Sequence, residues 1–143
     1  MADLLGRFNE WETAQAEVRE PLMDDGQVRT WLAAGNEIGA HTLTHPYLTR
    51  ISFRDAREEI SAGKKKLEDQ FGVAIRHFCY PYGDFNEPIS ELVREAGYET
   101  ACTVEAGVNT SATPPFGLKR IMARHPSLSL KSIKARLAEL SQP

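Results

Sequence analysis

Phe53, Ala56, Ile60, Gly63, Leu67 and Phe71 recur at alternating intervals of three and four residues, the spacing that lines up one face of an α-helix. Ser52, with Asp55 three residues on, has the form of a capping box, and Gly72 suits the left-handed position after a last helical turn. A short apolar run stands on each side of this helix, Glu37–His41 before it and His77–Tyr80 after it. A strand, a long helix and a second strand in that order need a crossover connection, so the strands are expected to lie parallel, with a right-handed turn between them.

The pattern then repeats. Asn86 can cap a helix that has Pro88 in its first turn and Ile89, Leu92, Val93 and Ala96 on one face, closed by Gly97. Tyr98–Val104 reads as a third strand, residues 108–116 as a polar, Pro-containing loop, and Leu118–Met122 as a fourth short strand. Ser129 opens a last helix carrying Leu130, Ile133, Leu137 and Leu140. Upstream, Asp24 or Asp25 caps a helix expected to bury Val28, Trp31 and Leu32 and to stop at Gly35. Residues 1–22 show no periodicity and read as an irregular lead-in to a domain over residues 23–143. The fold class is α/β.

With 143 residues the chain makes one domain, long enough for a core and short for a complete (β/α) barrel. The net charge of −3 mixes both signs, and the cluster Lys64–Lys66 falls inside the predicted helix, so nucleic acid is not an expected partner. No apolar run reaches the roughly 18 residues of a membrane span. The first six residues lack the basic and apolar segments of a signal peptide. As written, the chain is expected to be cytoplasmic, without a membrane partner. Cys79 and Cys102 fall in separate predicted strands and read as buried thiols, not as a disulfide framework.

The chemistry-bearing stretch is Gly35–Pro46, with His41 and His45 four residues apart. Pro46, the β-branched Thr42 and Thr44, and the glycine-rich entry argue against a helix, so the histidines are placed on a strand and the turn that follows it. Two imidazoles can converge on one cation there, but a catalytic zinc takes three protein ligands and an open position. His41, His45, Tyr82 and Asp84 all fall after predicted strands, at the end of a parallel sheet where chemistry collects. His77 precedes its strand core and reads as structural, and Asp84 reads as a turn residue.

These residues resemble the polysaccharide deacetylases of the NodB-homology group, carbohydrate esterase family four. His41-Thr42-Leu43-Thr44-His45 matches that family's His-[Ser/Thr]-x-x-His metal motif. Phe78-Cys79-Tyr80-Pro81-Tyr82-Gly83-Asp84 is similar to its next motif, which carries Pro-Tyr-Gly. Trp31–Gly39 and Glu91–Tyr98 read like its framework, and the likeness spans about residues 22–125. The resemblance implies a partial irregular (β/α) barrel with parallel strands. It also implies a metal-dependent hydrolase that removes acetyl groups from N-acetylated sugars or polysaccharides.

By the same resemblance, His41 and His45 hold a divalent cation, zinc first among the candidates, together with an aspartate. Pro81 and Tyr82 contact the carbohydrate, and the backbone N–H of Tyr82 stabilises the oxyanion. A late histidine protonates the leaving amine, and His125 is the one late histidine on offer.

Three departures set the remaining expectations. The family's early Asp-Asp motif has no counterpart, because Met23-Asp24-Asp25-Gly26 opens a helix. Cys79 stands where the family often has arginine, and no final Leu-x-His motif is present. The chain is therefore expected to be the C-terminal portion of such a domain, incomplete or inactive by itself. The alternative is a non-catalytic carbohydrate-binding or assembly module of the same fold. A third reading has Asp24, Asp25 or Asp84 complete a different metal site. A sheet lacking its first strand would expose an edge, so a homo-oligomer is expected.

Overall fold

The computed structural model describes residues 22–121, and the chain divides into two compact units, Met1–Glu37 and Ile38–Pro143. The expected lead-in, the helix after Ser129 and His125 lie outside the described residues, apart from Leu22.

In the first unit, α1 spans Asp25–Ala33. Asp24 is its N-cap: the carboxylate accepts from the Gln27 N–H at 2.8 Å, and the Gln27 side chain accepts from the Asp24 N–H at 2.9 Å. Gly35 follows the last turn at φ 82, the left-handed position glycine takes at no steric cost. The expected burial of Val28, Trp31 and Leu32 is corrected here, because α1 buries no residue. Trp31 is 47 % exposed, and its indole N–H donates to the Glu37 carbonyl.

In the second unit, α2 runs Phe53–Phe71, capped by the Ser52 hydroxyl and ended by Gly72 at φ 69. Ala56, Ile60 and Gly63 form its buried face, as the periodicity requires, while Phe53 at its start is exposed. β1 is His77–Cys79, α3 is Glu87–Glu95, β2 is Thr100–Ala106 and β3 is Leu118–Arg120. The Asn86 side chain accepts from Ile89 N–H, and Pro88 occupies the first turn, where its missing donor costs nothing.

The sheet order is β1-β2-β3, all parallel, with His77 beside Thr100 and Cys79 beside Cys102. Successive side chains alternate faces, so Phe78 and Ala101 are buried while His77, Cys79 and Cys102 share the other face. The cysteines are free and only half-buried, in place of the expected buried thiols.

The expected strand Glu37–His41 is corrected to a single bridge. Ala40 donates to His77 C=O at 2.9 Å and accepts from Cys79 N–H at 3.0 Å, and Thr42 at φ 64 then turns the chain out of the sheet. Of that segment Ala40 is buried in the core and Ile38 packs against it in part.

Ile60, Phe78, Leu92 and Val93 pack into one core, with partial cover from Leu67 and Phe85. Each fully buried aliphatic side chain is worth about 1.5–3 kcal/mol. Two tyrosines enter this core with their hydroxyls satisfied: Tyr98 donates to Ile60 C=O at 3.1 Å, and Tyr80 to Phe116 C=O at 3.0 Å. Burial pushes both phenols up, Tyr80 to about 12. Among the described residues no helix is long and apolar enough to cross a membrane.

Gly63 sets how closely α2 approaches the turn after Ala40. A Cβ there would lie 2.9 Å from the Thr42 carbonyl carbon and 3.0 Å from its oxygen, and backbone atoms cannot swing aside. At an open helical position Gly→Ala gains about 1 kcal/mol. Here the clash outweighs it, and Gly63→Ala should lower stability by about 1–3 kcal/mol in chemical denaturation; an unchanged or raised midpoint would mean that α2 can back away freely.

Candidate metal centre

His41 leaves the sheet directly after the Ala40 bridge. Its Nδ1 lies 2.6 Å from the carbonyl oxygen of Cys79. A carbonyl only accepts, so Nδ1 carries the proton and Nε2 is left with its lone pair. That Nε2 faces the Nε2 of His45 at 3.0 Å. Two lone pairs cannot rest against each other at this distance; a proton on one of the two nitrogens, or a cation between them, joins the pair. Both nitrogens can reach a single cation at the usual zinc–nitrogen distance of about 2.0–2.1 Å.

The turn between the histidines is built by α2. Glu59 accepts from Leu43 N–H at 2.9 Å, Thr44 N–H at 2.8 Å and the Thr44 hydroxyl at 2.6 Å. One helical turn on, the bare backbone of Gly63 admits Thr42. Inside the turn the Thr42 hydroxyl accepts from His45 N–H at 2.9 Å, and His45 itself takes φ 63. A left-handed non-glycine residue costs about 1–2 kcal/mol, within the reach of these hydrogen bonds.

The second loop follows β1. Pro81–Gly83 makes one tight turn in which Tyr82 takes φ 59. Its bonds run from Gly83 N–H to Tyr80 C=O and from Asp84 N–H to Pro81 C=O, both 2.9 Å, so the Tyr82 N–H stays outside them. Gly83, at φ 70, lies where a Cβ would strike Val104 at 2.4 Å. Pro81 is buried, whereas Tyr82 is 52 % exposed. Asp84 binds the first loop: its carboxylate accepts from Thr49 N–H at 2.8 Å and from the Thr49 hydroxyl at 2.8 Å. The Tyr82 ring stacks on Tyr47 and meets His45 edge-on.

The structure brings the rings of His41, His45 and Tyr82 together, while Asp84 is engaged elsewhere. Its carboxylate is a clamp for Thr49, and Asp24 is a helix cap. Among the described residues no group of three His, Cys, Asp or Glu side chains is placed to hold a metal. The imidazole pair therefore fits two ligands of a cation and leaves the rest of the shell unfilled. His77 has its Nδ1 2.9 Å from the Thr100 hydroxyl.

Behind His41 lies a cavity of about 270 Å³ lined also by His77, Cys79, Cys102 and Arg120. A larger cleft of about 700 Å³, walled by Phe85, Arg94, Glu105 and Phe116, contains none of the site residues. Burial raises the Cys79 thiol above its ordinary value. Cys79 replaces the family's arginine, yet a guanidinium still arrives at this place: Arg120, from β3, lies 3.4 Å from Cys79 Sγ.

Parallel strands joined by α2 and α3, with loops gathered after β1, define a partial (β/α) barrel of the deacetylase type. The family model described as polysaccharide deacetylase matches residues 9–101, and the chain belongs to that family. A peptidoglycan-N-acetylglucosamine deacetylase, PgdA of Listeria monocytogenes, is 29 % identical over 91 residues, covering 64 % of this chain and 20 % of PgdA. A peptidoglycan-N-acetylglucosamine deacetylase of Bacillus cereus is 34 % identical over 73 residues, covering 51 % of this chain and 34 % of its own length.

Among solved structures, the deacetylase PplD of Streptococcus pyogenes in complex with acetate superposes with a TM-score of 0.75 at 21 % identity. The match covers 87 % of this chain and 53 % of PplD. The chain thus spans a fifth to a third of these curated relatives and about half of PplD.

Glu59 and Gly63 were not legible as site residues, since at sequence level they are one polar and one small position on a helix. The signal was their spacing of four, which puts them on one stripe facing the histidine turn. Partial burial pushes Glu59 up, but the Thr44 hydroxyl and the N–H groups of Thr44 and Leu43 outweigh it and hold the carboxyl below 4.5. A carboxyl depressed in the folded state stabilises above its unfolded value and loses that stabilisation as pH falls through the folded one. The wild-type turn should therefore be intact at neutral pH and weaken below 4.5. Glu59→Gln should be about 1–2 kcal/mol less stable at neutral pH, and the gap should close on acidification. Thermal denaturation of both proteins against pH measures this, and a gap independent of pH would reject it.

Proposed function

We propose that this chain contributes the imidazole pair and the oxyanion loop of a metal-dependent deacetylase acting on N-acetylated sugar polymers. The observation that carries the reading is the pair itself. His41 is fixed through Nδ1 to the Cys79 carbonyl, with its Nε2 turned onto that of His45 at 3.0 Å. Membership of the family and the peptidoglycan deacetylases among its relatives support a sugar acetamide as substrate.

His41 and His45 would hold the cation, zinc first. When bound, such an ion polarises the acetamide carbonyl and acidifies water. The Tyr82 N–H, outside the hydrogen bonds of its own turn, donates to the developing oxyanion. The exposed Tyr82 ring forms the wall against the sugar, and buried Pro81 anchors the turn that presents it. His125 is the residue assigned to the proton of the leaving amine. The remaining carboxylates are assigned to polypeptide outside residues 22–121, in this chain or beyond it.

The lack of a third ligand among the described residues favours a second reading, a carbohydrate-binding or assembly module that keeps the fold without the chemistry. Zinc titration of the whole chain beside a His41→Ala/His45→Ala variant separates the two. Stoichiometric zinc lost in the variant, with slow release of acetate from an N-acetylglucosamine oligomer, supports the deacetylase centre. Saccharide binding indifferent to chelator, with no zinc bound, supports the module.

Self-association belongs to the same proposal. Among the described residues the sheet ends at β3 on one side and at the Ala40 bridge on the other, where backbone groups can pair with another chain. Light scattering should show a dimer or larger species, and a monomer persisting at high concentration would contradict it.

A further inference from the structure

Two loops meet at the imidazole pair, residues 41–50 and 80–84, and each holds a non-glycine residue in the left-handed region next to the chemistry, His45 and Tyr82. A tyrosine stays there only if its surroundings hold it. The surroundings of Tyr82 are aromatic. Its ring lies on that of Tyr47, with centroids 4.0 Å apart and planes 9° from parallel. The same ring meets His45 edge-on, at 4.7 Å and 73°. The guanidinium of Arg50 lies 4.2 Å from the Tyr47 centroid.

Stacked on Tyr82 and covered by a guanidinium, Tyr47 has little ring face left to receive a sugar, although it is 37 % exposed. Its contacts are directed at Tyr82. Its own backbone is well founded: Leu48 beside it is fully buried, and Thr49 is tied to the Asp84 carboxylate. Tyr47 is thus a fixed support delivered by the metal loop, and Tyr82 is the residue that needs one.

We propose that Tyr47, backed by Arg50, is a positioning residue that keeps Tyr82 in its left-handed conformation and its ring against His45. What Tyr82 then does for a substrate rests on the reading given under Proposed function; the support itself does not.

The test uses the whole chain with Tyr47→Ala and Tyr47→Phe, the latter keeping the ring. The first readout needs neither metal nor substrate. In NMR, a positive φ gives Tyr82 a strong cross-peak between its own amide and Hα protons, and the edge contact gives cross-peaks between the Tyr82 and His45 rings. Both should weaken in Tyr47→Ala and persist in Tyr47→Phe; both persisting in Tyr47→Ala would overturn the proposal.

The second readout is deacetylation by the zinc-loaded chain. Tyr47→Ala should lower kcat about tenfold with KM changed less than about twofold, as for a contact made in the transition state, and Tyr47→Phe should restore it. A rise in KM alone would overturn the positioning role and make Tyr47 a substrate contact. If the wild-type chain shows no turnover, the remaining carboxylates belong to polypeptide beyond it, and the NMR result still decides the role of Tyr47.

Discussion

One carboxylate holds the candidate site in shape. Glu59 accepts two backbone N–H groups and a hydroxyl from the turn that carries both histidines, and without it those donors would have no fixed partner on α2. The hydrogen bond from His41 to Cys79 fixes one ring, but the spacing of the two rings depends on the turn being closed. A charged acceptor suits this task, because hydrogen bonds to an ion are shorter and stronger than neutral ones. Glu59 is thereby a structural acid at a place where the chemistry calls for carboxylates of another kind.

Most of the scaffold could be read from the chain because its signals are local. Ser52, Gly72, Asn86 and Gly97 mark helix ends by their own backbone preferences, and the three-four spacing of Ala56, Ile60 and Gly63 marks a buried stripe. The parallel pairing of β1 and β2 followed from α3 between them, whereas β2 and β3 lie parallel across a helix-free loop. What failed had no local signal. Glu37–His41 looks like a strand, but a left-handed Thr42 ends its pairing after one bridge. Trp31 looks like a core residue and is held at the surface by its indole hydrogen bond.

The site divides in the same way. His41 and His45 stand out by side-chain type and spacing, whereas Pro81 and Tyr82 enter through the likeness to the family's Pro-Tyr-Gly motif. The roles of Glu59, Tyr47 and Arg120 arise from contacts between segments distant in sequence, which spacing does not encode. Arg120 shows the limit well. The guanidinium expected two residues before Pro81 is missing from β1, yet one reaches Cys79 from two strands away.

The way the histidine turn is attached also orders the assembly of the chain. His77 and Thr100 join across 23 residues, whereas His41 and Cys79 join across 38. The extra loop-closure entropy is small, about 0.4 kcal/mol, so distance alone does not delay the turn. Its landing surface does, for the turn docks on the edge of β1 and into the gap over Gly63, and both must exist before it can close. The imidazole pair therefore depends on α2 and β1 both being in place, and a cation held by it would tighten a turn that already rests on them.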